Sequence, residues 1–422
     1  MKKFFRKTVL VFLVFCLLYP IILRLLPTMA LRNIIGPVGF VILVIVLRKT
    51  FIITDAIQKM LVMVFLLAFL ALITNTFHGT MWETYFIYLP LSVILLLIYS
   101  YVVAYCLKKY YGVFDFDLIS RYIVYGVCLQ CIISVVMYIS PDIKDLLLNK
   151  ITISEYKDSF ARVGNQRLIG LGSQYFGLGV VNSFALLFVA ERFKDPTNTK
   201  ARNIRLILIF SFITIVGAMM ARTTLVGTAI SFVMLGIHFQ KYLKKILKYF
   251  IYGAIFAAII IVVLPPNIRN QLSVPFEFAF EMVYSYQDTG EFNTKSSDDL
   301  IDQLANSIPK KAGTWFIGDG LWSADDTGAY YGSDVGYYRL LYYFGLFGTL
   351  VYIYYQSQAM WQANIRTKRK HQLFFIFAIV IFLILNLKAF VEVIAIFSLF
   401  FFAEEPDAIT EDTKQSEISL KK

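Results

Sequence analysis

Arginine is the residue type through which this chain can handle phosphate. A guanidinium fork matches paired phosphate oxygens, and an arginine near hydrocarbon needs a partner because an unpaired charge there is costly. Two stretches set arginines beside apolar runs. RVGNQRLIGLGSQYFGLG, from Arg162 to Gly179, carries Arg162 and Arg167 in a Gly-rich segment that leads into an apolar run. ARTTLVG, from Ala221 to Gly227, carries Arg222 in a turn between two apolar runs, with threonine hydroxyls beside it and no acid nearby in sequence. Glycines in the first stretch allow tight backbone turns close to a ligand. Arg162, Arg167 and Arg222 are therefore candidate phosphate-binding residues. The competing reading is snorkelling, in which the stem lies along lipid and the head reaches the headgroups. Arg24 and Arg32 are assigned to that second role.

A carboxylate completes the set. WFIGDGLWSADDTGAYYGSDVGYYRLLYYFGLFG, from Trp315 to Gly348, closes a long polar connection and opens an apolar helix, with Asp334 at its entrance. Asp334 meets a potentially close-packed segment there, and the plain reading of it is a helix cap. Trp322, Tyr338 and Arg339 read as substrate contacts, and Gly345 with Gly348 predicts close packing along the helix. There is no Walker loop, GxSxG or HExxH, and no metal-ligand spacing, so neither metal nor cofactor is expected. His78, His238 and His371 fall at predicted membrane interfaces and read as solvated.

The elements that must position these residues are membrane helices. Of the 422 residues, 58% are hydrophobic and only 16% charged, which excludes a water-soluble globule. The mean hydropathy is +0.67. Long continuous apolar runs also exclude a barrel of alternating strands. About eleven such runs occur, and the last, 372 to 402, is too long for one crossing and is interrupted by Lys388 and Glu392. Splitting it predicts an all-α, polytopic integral membrane protein with about 12 transmembrane helices. MKKFFRK followed by an apolar run without a small-residue cleavage site reads as the first of them.

Charge sets the expected orientation. Basic residues occupy every alternate connection: Arg48 and Lys49, Lys108 and Lys109, Arg192 to Arg205, Lys241 to Lys248, and Arg366 to Lys370. The positive-inside rule places these connections and both ends in the cytoplasm, and it accounts for the +12 charge without a nucleic-acid partner. The division that follows is 1 to 140 for five helices, 141 to 172 for an outer loop with the first arginine motif, and 173 to 264 for four helices. A large extracytoplasmic loop spans 265 to 335, C-terminal helices 336 to 403, and a cytoplasmic tail 404 to 422. From Pro265 to Gly336 eleven acidic residues face four basic ones, a net of −7 that leaves +19 on the rest. With Trp315, Phe316, Trp322, Tyr330 and Tyr331, this loop reads either as a surface for neutral sugars or as a solvated cap. Cys16, Cys106, Cys128 and Cys131 lie within apolar runs and read as core residues.

Three features together resemble a family. A Gly-flanked arginine ahead of a helix (Arg167), a short Arg-Thr motif at a helix start (Arg222), and IGDGLW followed by GSDVGYYRLLYYFGLFG look like the bacterial Wzy-type O-antigen polymerases, relatives of the O-antigen ligases among lipid-linked glycan transferases. The resemblance covers roughly residues 160 to 350. It implies a metal-independent glycosyltransferase of the bacterial inner membrane, acting at the outer face. Its substrates would be undecaprenyl-pyrophosphate-linked glycans as donor and acceptor, and its further partners a chain-length regulator and a flippase. Arg167 and Arg222 are then catalytic cations and Asp334 the general base. The ligases carry a His-Asn pair where the large loop enters its helix, whereas this chain has Asp334-Val335 and no histidine in that loop, which favours polymerase over ligase. A lipid-linked oligosaccharide flippase is the rival from another class, but the matching broken-helix repeats of a transporter are not found.

Overall fold

The computed structural model describes residues 2–51, 53–152, 166–173, 175–195, 197–238, 251, 266–291, 294–322 and 333–404. Arg162, the expected crossing over 246 to 264, Asp325, Asp326, Tyr330 and Tyr331 lie outside them. Among the described residues the chain is helical, with three isolated bridges and no named strand. In order, α1 is Lys2–Leu18, α2 Leu31–Val41 with a π-helical continuation Ile42–Val46, α3 Asp55–His78, α4 Leu89–Tyr111, α5 Phe116–Ile139 and α6 Pro141–Leu148. Then come α7 Tyr175–Arg192, α8 Lys200–Met220 and α9 Thr223–His238. The large loop contains α10 Pro266–Ala279, α11 Glu281–Thr289, α12 Lys295–Asn306 and α13 Ala312–Ile317. The chain returns through α14 Gly336–Arg366, α15 Gln372–Leu385 and α16 Ile394–Phe397, which runs into a 3-10 turn Ser398–Phe402.

Apolar runs form helices because a helix satisfies its own backbone where no water can. Their limits are written in polar residues. Thr54, Asp115 and Thr199 cap α3, α5 and α8 by accepting from Ile57, Leu118 and Arg202 N–H groups, while α3 and α4 end at Gly79 and Gly112. Among the described residues five helices, α3, α4, α5, α7 and α8, are long and apolar enough to cross a membrane. The 372 to 402 run is interrupted at residues 386 to 393, but its second part is only the four-residue α16 and a 3-10 turn, and neither part is among the helices long and apolar enough to cross.

Contacts between helix termini fall into two groups. In the first, the Tyr110 hydroxyl donates to the Lys3 carbonyl at 3.4 Å, Glu404 N–H donates to the Phe114 carbonyl at 2.8 Å, and Lys108 pairs with Glu404 at 2.6 Å. Asp117 there accepts from Arg192 at 3.0 Å and Arg202 at 3.3 Å. His371 belongs to this group, and it is packed rather than solvated: its ring stacks 3.7 Å from Phe116 and its Nδ1 is 2.8 Å from Glu191 Oε1. In the second group, Arg24 N–H donates to Lys150 O at 3.0 Å, Leu168 N–H to Met219 O at 3.1 Å, and Lys388 Nζ to Ser296 Oγ at 3.0 Å. Lys3 and Glu404 share one group.

Two close approaches position the site. A Cβ on Gly227 would stand 2.3 Å from Ser183 Cα, so α7 and α9 touch through their backbones, as small residues permit between membrane helices. Gly345, at φ +70° and ψ −172°, breaks α14, and a Cβ there would meet the Phe316 carbonyl at 2.5 Å. The carbonyls freed by the break are not left bare. Gly320 N–H donates to Tyr343 O at 3.3 Å, and Asp319 N–H donates to Tyr342 O, so IGDG seals the broken helix. The expected close packing at Gly345 is thus between α14 and the end of α13.

Candidate functional site

The stretch after Arg167 is drawn inward rather than left on the surface. Leu168 through Leu171 are buried, and Gln130 Nε2 donates to Leu171 O at 3.1 Å. Gly170 abuts Gln130, where a Cβ would lie 2.0 Å from Nε2, so this glycine serves protein packing and not the approach of a ligand. Arg167 emerges at the start of that buried stretch. Arg222 occupies the short break between α8 and α9, fixed by the contact of α9 with α7.

Both arginines pack against the ring of Phe278 of α10. Their guanidinium carbons lie 4.2 Å (Arg167) and 4.1 Å (Arg222) from the Phe278 ring centroid, and Arg167 also stands 5.3 Å from the Tyr175 ring. Arg222 Nε donates to the Phe278 carbonyl at 2.9 Å, and its guanidinium pairs with the Glu281 carboxylate. Glu281 was not visible as a partner in sequence, being 59 residues away. Among the described residues no carboxylate pairs with Arg167, and Arg167 Nε and Arg222 Nη1 are buried without a hydrogen-bond acceptor.

Electrostatics follow from that geometry. Burial pushes both arginines below their ordinary values; the charge of Arg222 adds to the effect on Arg167, while Glu281 opposes it on both. Arginine starts so high that both stay cationic. Two cations and one carboxylate leave a net positive site with unused donors, which suits an anion with several oxygens.

Asp334 is exposed at the entrance to α14 but does not cap it. The N-cap position is Val335, which makes no side-chain cap bond, and the Asp334 backbone N–H donates to Gln303 Oε1 at 3.0 Å. Lys388 feels the charges of both Asp334 and the arginines. Burial lowers its pKa first, the carboxylates of Asp334 and Asp299 raise it, and the positive charges of Arg167 and Arg222 lower it further. Asp334, Lys388 and the arginine pair thus share one electrostatic neighbourhood. Lys388 was legible only as an interruption in an apolar run.

The three expected substrate contacts are engaged with protein. Trp322 stacks on Tyr85 at 5.3 Å and 5°, the Arg339 guanidinium lies 4.4 Å from its ring, and Phe86 and Phe390 meet its edge. Arg339 Nη2 also lies 3.4 Å from Trp322 O. The Tyr338 hydroxyl donates to Leu304 O at 2.8 Å, as Tyr342 does to Ser307 O at 2.8 Å, which fastens α12 to α14. Trp322, Tyr338 and Arg339 therefore hold the large loop on the bundle. Trp315 and Phe316, 39% and 76% exposed, leave aromatic surface open. Sequence reasoning missed Phe278 and Tyr85, whose roles depend on which distant residues arrive beside them.

Among the described residues no group of three His, Cys, Asp or Glu side chains is placed to hold a metal ion. Comparison of the chain with protein-family models, with curated proteins and with solved structures returned no match.

Proposed function

We propose that this chain is a membrane glycosyltransferase that joins undecaprenyl-pyrophosphate-linked oligosaccharide repeats into a surface polysaccharide such as O antigen. The observation that carries the reading is that Arg167 and Arg222 both pack against Phe278 and act on each other electrostatically, with donors to spare. A pyrophosphate seated there has its leaving charge stabilised in place. In the reaction, an acceptor hydroxyl attacks the donor anomeric carbon, the bond from that carbon to the pyrophosphate oxygen breaks, and its electron pair leaves on the oxygen facing the arginines. Asp334 takes the hydroxyl proton. The bilayer holds both lipid-linked substrates, so donor and acceptor diffuse in the plane of the site.

The topology that fits is twelve crossings in the bacterial inner membrane, with both ends in the cytoplasm and the arginine pair at the outer face. Alternating basic connections support this, and so does the pairing of Lys3 and Glu404 with neighbouring residues of one helix turn. A chain-length regulator and a flippase remain proposed partners. The test is purified protein with lipid-linked repeat units: a ladder of polymer supports the reading. Transfer to lipid A core replaces it with a ligase, and translocation without new bonds replaces it with a flippase.

A further inference from the structure

The large loop is acidic, yet one of its elements is apolar. α13 follows Lys310 and Lys311, two of the four basic residues between Pro265 and Gly336, and ends on Trp315, Phe316 and Ile317, all three exposed. Its polar side-chain atoms are already used within the protein. Trp315 Nε1 donates to Pro309 O at 2.9 Å, and the buried Thr314 donates its hydroxyl to Asp319 Oδ1 at 2.8 Å. An indole whose N–H is satisfied, a phenyl ring and an isoleucine side chain can enter hydrocarbon without leaving a donor bare.

The position of α13 decides what covers that face. The residues just beyond it lie against the ends of two helices: a Cβ on Gly318 would press on the Tyr343 carbonyl of α14, and one on Gly320 would stand 3.4 Å from both His78 Cβ and Thr74 Cγ2 of α3. α3 is long and apolar enough to cross a membrane, and Thr74 to His78 is its last turn. α13 therefore stands at the level where the hydrocarbon ends. Exposed apolar side chains flank it on both helices, Phe69 and Phe77 on α3, and Phe347 and Leu350 on α14 just past the break at Gly345, where the Phe316 carbonyl lies. Lysines beside aromatic rings at this depth match the two layers of a leaflet, phosphates outside and acyl chains within. We propose that α13 docks on phospholipid of the leaflet bordering the large loop, with Trp315, Phe316 and Ile317 among the acyl chains and Lys310 and Lys311 at the headgroup phosphates. A soluble protein would have to reach this face where lipid already stands. Such docking requires only the bilayer and holds whether or not the chain transfers glycan.

The full-length protein in nanodiscs of phosphatidylcholine and phosphatidylglycerol, which hold no polyprenyl lipid, tests this with a nitroxide label at single positions. Phe316→Cys and Lys311→Cys carry the label at α13, while Phe69→Cys on α3 and Asp302→Cys, exposed on α12, give the lipid and water references. The unsubstituted chain, whose four cysteines lie within α1, α4 and α5, gives the background. At 316 oxygen is expected to relax the label severalfold more than a water-soluble nickel chelate does, as at 69, with the reverse ratio at 302. Nickel chelated on a lipid headgroup should act more strongly at 311 than at 316 or 302. A water-like ratio at 316 overturns the docking, and so does a label that neither reagent reaches, which would place protein over this face. An undisturbed label at 311 in the presence of headgroup nickel overturns it too. Thermal unfolding checks each variant, and Ile317→Cys takes the place of Phe316→Cys if the latter does not fold.

Discussion

Arg167 and Arg222 share the ring of Phe278, at 4.2 and 4.1 Å from its centroid, although 55 positions separate them in the sequence and, among the described residues, only Arg222 is paired with a carboxylate. The two like charges repel each other, and the quadrupole of one ring with the single charge of Glu281 offsets that only in part. An anion that reaches both cations relieves the rest.

Guanidinium geometry should matter here beyond charge. Arg167→Lys and Arg222→Lys are expected to reduce polymer formation by about tenfold or more, in keeping with a charge-assisted hydrogen bond worth about 1.5–3 kcal/mol, and the Ala variants at least as much. Polymer ladders at matched membrane protein levels are the measurement. Normal ladders from both Ala variants would return the arginines to anchoring.

Pyrophosphate alone should stabilise the protein. Any ligand bound only by the folded state raises its melting temperature by linkage. Inorganic pyrophosphate is expected to raise the thermal midpoint of wild type, to raise it more in Glu281→Gln, where the competing carboxylate charge is gone, and to leave Arg222→Ala unmoved. Equal shifts in all three would show that the anion binds elsewhere.

Asp334→Asn is expected to give a protein of ordinary thermal stability and no polymer, because the side chain makes no cap bond to lose. Asp325→Asn and Asp326→Asn serve as controls and should act mildly. If Asp334→Asn forms polymer at the wild-type rate, the proton goes to another group.

Gly345→Ala should destabilise the fold by about 2–4 kcal/mol, since alanine rarely adopts this backbone conformation and its methyl would press on the Phe316 carbonyl. Leu346→Ala, on an exposed position one residue later, should cost less than half as much. Thermal unfolding in detergent makes the comparison. Similar losses for both would mean that the break is not what anchors α13.

Reporter fusions check the topology. A fusion after residue 404 should be active in the cytoplasm, on the same side as one placed in the turn between α4 and α5, because Glu404 binds Phe114 and Lys108 directly. Fusions within 295 to 306 should report the outer side. A cytoplasmic signal from those would remove the proposed mechanism.

Composition and the length of its apolar runs determined that this chain is helical and built for a membrane. In lipid the helix is the way a continuous apolar segment satisfies its own backbone, and caps such as Thr54, Asp115 and Gly112 mark its limits locally. The arginine motifs were legible for the same local reason: charges beside hydrocarbon stand out in any window of residues. Tertiary structure alone decided which of them meet. Phe278 and Glu281 reach Arg222 through the fold of a polar loop whose own sequence has no lipid-imposed pattern, and Asp334 lost its capping role because the helix starts one residue beyond the expected position. Trp322 offered an aromatic face in sequence, but Tyr85 and Arg339 arrive from other elements to occupy it. Arg32, read in sequence as a headgroup anchor, instead donates to the Leu17 carbonyl of α1, because only the packed bundle brings that acceptor beside it.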